Sequence, residues 1–286
     1  MTALLRADGI ACGYGTRTVL DDFNLTAEPA SMTALLGANG AGKSTALRAL
    51  SRLLRPRQGT VTLGGRDIWR LPLRVFVPQV AFLPQSEAPS WPMTVEQLVL
   101  LGRAPHRGWL LPYAAADREA ADTSLRQVDM TELRHRTLAS LSGGEQRRAM
   151  LARALAQGAR ILLLDEPVAH LDLRHQLELF GVLRRLSREC GVAVVLSLHD
   201  LNLAAAFADR LLLLVEGRSM AQGIPAEVLT PERIRTAFGV AVEVAVHVRR
   251  GGSAVVSVLP ILEDDGNPPT VSSSAAGHLQ EDVYER

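Results

Sequence analysis

The run Gly37-Ala38-Asn39-Gly40-Ala41-Gly42-Lys43-Ser44-Thr45 sets three glycines, a lysine and two hydroxyls at a spacing suited to holding phosphate. Glycines let the backbone wrap closely enough for several N–H groups to face phosphate oxygens, and a helix beginning at Lys43 adds partial positive charge. In the pattern G-x-x-x-x-G-K-[ST], Lys43 bridges the β- and γ-phosphates, Ser44 ligates Mg2+ through its hydroxyl, and Thr45 reaches toward the α-phosphate. By itself the loop leaves kinases, GTPases and many ATPases open. A second constellation is Ile161-Leu162-Leu163-Leu164-Asp165-Glu166, an apolar strand that closes on two acids. Asp165 there can hold Mg2+ through water, and Glu166, beside the γ-phosphate, can orient or deprotonate an attacking water. Taken alone, such a pair is more often a solvated strand end or a helix cap.

What supports the chemical reading is Leu141-Ser142-Gly143-Gly144-Glu145-Gln146-Arg147-Arg148, which resembles the signature sequence of ABC ATPases. Ser142 brings a hydroxyl, and Gly143 and Gly144 bring free backbone amides, to the start of a helix, forming a second anion site. The plain alternative is a Ser N-cap after a turn. The resemblance implies a P-loop NTPase fold, ATP and Mg2+ as cofactors, and two copies in which the signature of one closes over the P-loop of the other. It also implies roles for single residues. Gln85, after Val80-Ala81-Phe82-Leu83-Pro84, corresponds to a glutamine that senses Mg2+ and water; His199, in Ser197-Leu198-His199-Asp200, corresponds to a histidine on the γ-phosphate. Tyr14 corresponds to the aromatic on which adenine stacks, and Asp172 to an aspartate loop at the dimer interface. A polar strand end, a helix cap or core histidine, and a turn aromatic are the plain readings of Gln85, His199 and Tyr14. Val168 and Ala169 stand where the family usually carries hydroxyl residues, which puts in question a side-chain hydrogen bond to the other copy. His170 and His175 lie at a poor offset for sharing one helix face, so no metal is assigned to them.

Three further runs look like the importer branch that handles ferric siderophores, haem or cobalamin: Leu101-Gly102-Arg103-Ala104-Pro105-His106, His199-Asp200-Leu201-Asn202-Leu203, and Pro225-Ala226-Glu227-Val228-Leu229-Thr230-Pro231. The partners this implies are a second copy, integral membrane permease subunits and, indirectly, a substrate-binding protein, with no nucleic acid. The implied location is the cytoplasmic face of the membrane, reached through the permease.

These residues need strands that end where they stand. Short apolar runs without alternation point to a parallel sheet covered on both faces. The expected fold is α/β, with a mainly parallel core sheet, an N-terminal antiparallel β subdomain and an inserted helical subdomain at about 88–157, all within an ATPase domain of residues 1–240. The helical part opens with Thr94 as N-cap and Gln97 three residues on, a capping box. A helix is expected over 43–54, ended by Arg55-Pro56. A small β region at 241–262 should pair residues 240–248 with 254–259, and the polar stretch 263–286 is expected to be disordered.

Composition agrees and excludes alternatives. At 286 residues, with 47% hydrophobic and 21% charged content, the chain can bury a sizeable core. Its 31 Lys and Arg balance 30 Asp and Glu, so no overall field favours nucleic acid or an anionic membrane. Cys12 and Cys190 are too few and too far apart for a disulfide framework or a zinc cluster, which fits a reducing cytosol. The longest apolar runs, 192–198 and 211–215, stop at strand length, and Met1 to Gly9 carries no secretory pattern. The expectation is a soluble chain that meets the membrane through a partner.

Overall fold

A computed structural model describes residues 4–85, 92–107, 112–169, 171–248 and 254–261. His170 and the expected disordered stretch lie outside the described residues. The chain begins as an antiparallel hairpin, β1 (Leu5–Tyr14) and β2 (Arg17–Ala27), then passes through β3 (Met32–Leu36) into α1 (Lys43–Leu50). β4 (Gln58–Leu63) and β5 (Arg66–Asp67) complete an antiparallel sheet in the order β2-β1-β4-β5. A short α2 (Leu73–Phe76) leads to β6 (Val80–Leu83). The helices α3 (Val95–Leu101), α4 (Ala115–Gln127) and α5 (Gly143–Ala156) precede β7 (Ile161–Leu164). Strand and helix then alternate through α6 (Leu173–Cys190), β8 (Ala193–Ser197), α7 (Leu201–Phe207) and β9 (Arg210–Val215). After β10 (Arg218–Gly223), α8 (Pro225–Val228) and α9 (Pro231–Phe238) comes a last antiparallel hairpin, β11 (Val242–Val248) and β12 (Ala254–Pro260).

The central sheet has the order β10-β9-β3-β8-β7-β6, with every neighbouring pair parallel except β10 with β9. Its inner strands β3, β8 and β7 are buried at every position and almost wholly apolar, because each face meets its own buried layer. Leu162 and Leu164 of β7 join a layer built with α5, α6, α7 and the last hairpin. Ile161 and Leu163 face the other way, into a layer with α1 and the N-terminal sheet. Side chains of a strand alternate between faces, so two cores turn alternation into a continuous apolar run. Each leucine buried this way stabilises by about 1.5–3 kcal/mol relative to exposure.

Thr94 caps α3 as expected: its Oγ1 accepts the Gln97 N–H at 3.3 Å, and Gln97 Oε1 accepts the Thr94 N–H at 2.9 Å. The helix that begins at Lys43 is shorter than expected, ending at Leu50 rather than at residue 54. Arg52 turns left-handed at φ 63°, and the N–H groups of Leu53 and Leu54 fold back onto the Arg48 carbonyl at 2.9 and 3.1 Å. The Arg52 guanidinium is spent on the Leu71 carbonyl at 2.8 Å and over the Trp69 ring, so side-chain contacts end the helix before Pro56 can. The run 101–106 has a fastening role: Arg103 donates to Asp117 of α4 at 2.9 Å and to the Ala156 carbonyl at the end of α5 at 2.7 Å.

Candidate nucleotide site

Parallel α/β sheets place their functional groups at the carboxyl ends of the strands. Here β3 ends at the glycine-rich loop, its neighbour β8 runs out toward His199, β7 ends at Asp165 and Glu166, and edge strand β6 leads to Gln85. The strand order thus sets these groups side by side along one edge. The ends are stitched together by main-chain bonds: the Leu198 N–H donates to the Leu35 carbonyl at 3.1 Å and the Asp165 N–H to the Leu83 carbonyl at 2.9 Å.

An open cleft at this edge is lined by Tyr14, Asn39, Gly40, Gly42, Lys43, Ser44, Thr45, Glu166 and His199, together with Arg17 and Val19. The last two come from β2 and were not foreseen, because nothing in their local sequence says that the hairpin overhangs the loop. Gly37 and Ala41 form the loop's backbone without lining the cleft. Gly42 adopts φ 107°, a left-handed conformation that favours glycine, and a Cβ there, 2.7 Å from Leu20 Cδ2, would also require that side chain to shift. Lys43 is only 6% exposed, and its Nζ donates to the carbonyls of Gly37 at 2.8 Å and Ala38 at 3.1 Å. Burial pushes the Lys43 ammonium below its usual range, while the carboxylates of Glu166 and Asp165 pull it back up. Tyr14 is 46% exposed, with its hydroxyl held by Arg48 Nη1–H at 2.9 Å, which leaves the ring face open at the cleft's rim.

The acids sit in one hydrogen-bonded network. Ser44 Oγ–H donates to Asp165 Oδ1 at 3.0 Å, bringing together the hydroxyl and carboxylate that would hold Mg2+. Glu166 is engaged on both oxygens: Gln85 Nε2–H donates to Oε2 and His199 Nε2–H to Oε1. Glu166 itself is in the left-handed region at φ 45°, a conformation that costs energy in a side-chain-bearing residue. What holds it is Ser197, fully buried at the end of β8: its Oγ accepts the Glu166 N–H at 2.8 Å and donates to Asp165 Oδ1 at 2.7 Å. Ser197 was not singled out from sequence, although a hydroxyl inside an otherwise apolar strand was the available signal. Ser197→Ala should strand the Glu166 N–H and lower the unfolding free energy by about 1–3 kcal/mol. Denaturant unfolding checks this, and an unaltered midpoint would remove Ser197 from the supporting role.

Ser142, Gly143 and Gly144 do not line the cleft. Ser142 is the N-cap of α5, accepting the Glu145 N–H at 3.3 Å while Glu145 Oε2 accepts the Ser142 N–H at 2.8 Å. The N-cap geometry is therefore present at the start of α5, where Ser142 and Gly143 are exposed and Gly144 is buried. Asp172 caps α6, and its Oδ1 accepts from the N–H and Nδ1–H of His175 at 2.9 and 2.8 Å. Those bonds hold the Asp172 carboxyl below the usual carboxylate range. The ring of His175 also packs against Gly144, where a Cβ would come within 2.9 Å of it. One chain thus presents its signature and its aspartate loop as a single packed unit. Val168 is buried in the core, and the loop around it is held instead by Gln176 Nε2–H, which donates to the Leu171 carbonyl at 2.9 Å. Arg147 of α5, pushed below its usual range by burial, donates to the carbonyls of Pro84 and Gln85, tying the Gln85 loop to the signature helix.

The sequence profile described as "ABC transporter" matches residues 20–169. A siderophore transport system ATP-binding protein of Bacillus subtilis is 39% identical over 234 residues, covering 82% of this chain and 85% of that protein. The hemin import ATP-binding protein HmuV of Rhodopseudomonas palustris is 42% identical over 273 residues, covering 93% of this chain and 97% of its own length. Among solved structures, a metal-chelate type ABC transporter in an inward-facing conformation superposes with a TM-score of 0.79 at 26% identity, covering 91% of this chain and 98% of that one. The strand-end arrangement, the P-loop and the signature helix accord with this, and the chain belongs to the ATP-binding subunits of the ABC transporter family.

Proposed function

We propose that two copies of this chain close around Mg-ATP and hydrolyse it, and that the cycle drives import of an iron chelate, a siderophore complex or haem, through a separate membrane permease. The observation that carries the reading is the split of anion-holding surfaces. One cleft is lined by Lys43, Ser44, Glu166 and His199, with Asp165 bonded to Ser44 and Gln85 to Glu166, while Ser142, Gly143 and Gly144 stand outside it. A second copy is the natural source of the missing surface. Ser44, Asp165 and Gln85 would hold Mg2+, which when bound neutralises phosphate charge. Lys43 binds the terminal phosphates, His199 orients Glu166 and meets the γ-phosphate, and Glu166 takes a proton from the attacking water.

The iron chelate comes from the relatives, whose names give siderophore transport, iron(3+)-hydroxamate import and hemin import, and the permease is what an ATP-binding subunit of an import system implies. Among the described residues no helix is long and apolar enough to cross a membrane, which leaves that task to a partner. Reconstitution with the permease should give ATP hydrolysis that rises when a binding protein loaded with ferric siderophore or haem is added. Stimulation only by cobalamin would reassign the substrate. No co-purifying polytopic membrane protein and no stimulation by any loaded binding protein would end the transport reading.

A further inference from the structure

Two of the importer-like runs reach beyond the nucleotide cleft, and both converge on the C-terminal hairpin. Asn202, the second residue of α7, donates from Nδ2 to the Val258 carbonyl at 3.1 Å and accepts the Val258 N–H on Oδ1 at 2.8 Å. A side-chain amide meeting a peptide unit in both directions takes the place of a neighbouring strand along the edge of β12 that β11 leaves unpaired. Val242, Val256 and Val258 carry one hairpin face into the larger buried layer, where Val228 and Leu229 of the run 225–231 also lie.

His199 stands at the other end of the same short segment. On its strand side the chain is fixed by Leu198 on Leu35 and by Ser197 on Asp165. On its helix side Asp200 caps α7, accepting the N–H groups of Asn202 and Leu203 at 2.8 and 2.9 Å. That cap is local and turns with the helix. The first turn is hydrogen-bonded to the rest of the molecule through the Asn202–Val258 pair, while Leu201, Leu203, Ala204 and Ala205 pack on the larger buried layer and, at the far end, Phe207 stacks on Phe180 with centroids 4.6 Å apart.

We propose that Asn202 is a positioning residue for ATP turnover and that the β11–β12 hairpin is the outer seat of the His199 segment. With the Asn202–Val258 pair made, the first turn of α7 is fixed from outside and the imidazole stays on Glu166. With it broken, the turn rocks on its Asp200 cap and His199 leaves the carboxylate for part of the time. The inference rests on the ATPase reading of the site.

The test measures ATP turnover per titrated nucleotide site, with the ATP dissociation constant alongside, for the full chain, Asn202→Ala, Val258→Pro and the double variant. Val258→Pro deletes the N–H that Asn202 accepts, a donor not spent on β11, so the hairpin ladder survives. Each single change should lower turnover per site about 3- to 10-fold, the scale of one or two lost hydrogen bonds. The dissociation constant should hold, and the double variant should fall no further than the lower single, because both delete one interaction. A merely structural role would reduce how many sites titrate, not the turnover of each. Full turnover per site in Asn202→Ala, or losses that multiply in the double variant, overturns the proposal. Should Asn202→Ala not fold, Val258→Pro decides alone, an undiminished rate counting against it. If the unaltered chain binds ATP without hydrolysing it, the function reading fails and the proposal with it; if it hydrolyses ATP and the variants match it, only the proposal fails.

Discussion

Glu166→Gln should bind ATP and hold the nucleotide-joined dimer while turning over about 10²- to 10⁴-fold more slowly, the contribution expected of a positioned general base. The network explains why binding survives. Gln85 and His199 both donate to the Glu166 carboxylate. In the variant, the oxygen of the substituted amide accepts from His199 as before. The amide N–H faces Gln85, whose own amide turns over to present oxygen, so no buried donor is stranded. The backbone bond from residue 166 to Ser197 Oγ does not involve the side chain and persists. One negative charge also leaves the neighbourhood of the phosphates, which favours the ATP-bound, closed pair. Single-turnover kinetics and size-exclusion chromatography with and without ATP read the two halves of the prediction. Hydrolysis at the parent rate would take Glu166 out of the chemistry, whatever the dimer does.

How far this arrangement was legible follows from where each signal resides. Asp165 and Glu166 were visible because they close a run that is apolar at every position, which marks a strand buried on both faces, whereas His199 and Gln85 were assigned through the resemblance. That run, Ile161 to Leu164, is divided residue by residue between the two cores. The order in which the strands lie was not in the sequence, and that order is what lets Ser197 of β8 reach Asp165 and Glu166 beyond β7. The shortened α1 has the same origin: its end is set by Arg52 against Trp69 and Leu71, residues a local pattern cannot pair. Asn202 was seen only as part of a resemblance, since its partner is a main-chain unit 56 positions away.

Lys43→Ala should weaken ATP affinity about 10- to 100-fold, the loss expected when a charged hydrogen-bond donor is removed from a phosphate site. The fold should tolerate the change. Lys43 opens α1, where alanine is the better helix former, and its side chain borders the cleft rather than the core, so water fills the space. The electrostatic consequence is larger than one missing contact. Lys43 is the cation whose ammonium is opposed by Asp165 and Glu166, and without it those carboxylates face the phosphates with less compensation. The sequence offers an independent readout, because Lys43 is the chain's only lysine. Acylation by an amine-reactive reagent can mark that ε-amine and the terminal amine and no other, so mass spectrometry of the intact parent should show one label that saturating ATP suppresses. An unchanged dissociation constant in Lys43→Ala, or a lysine label indifferent to ATP, would each place the phosphates elsewhere than in this loop.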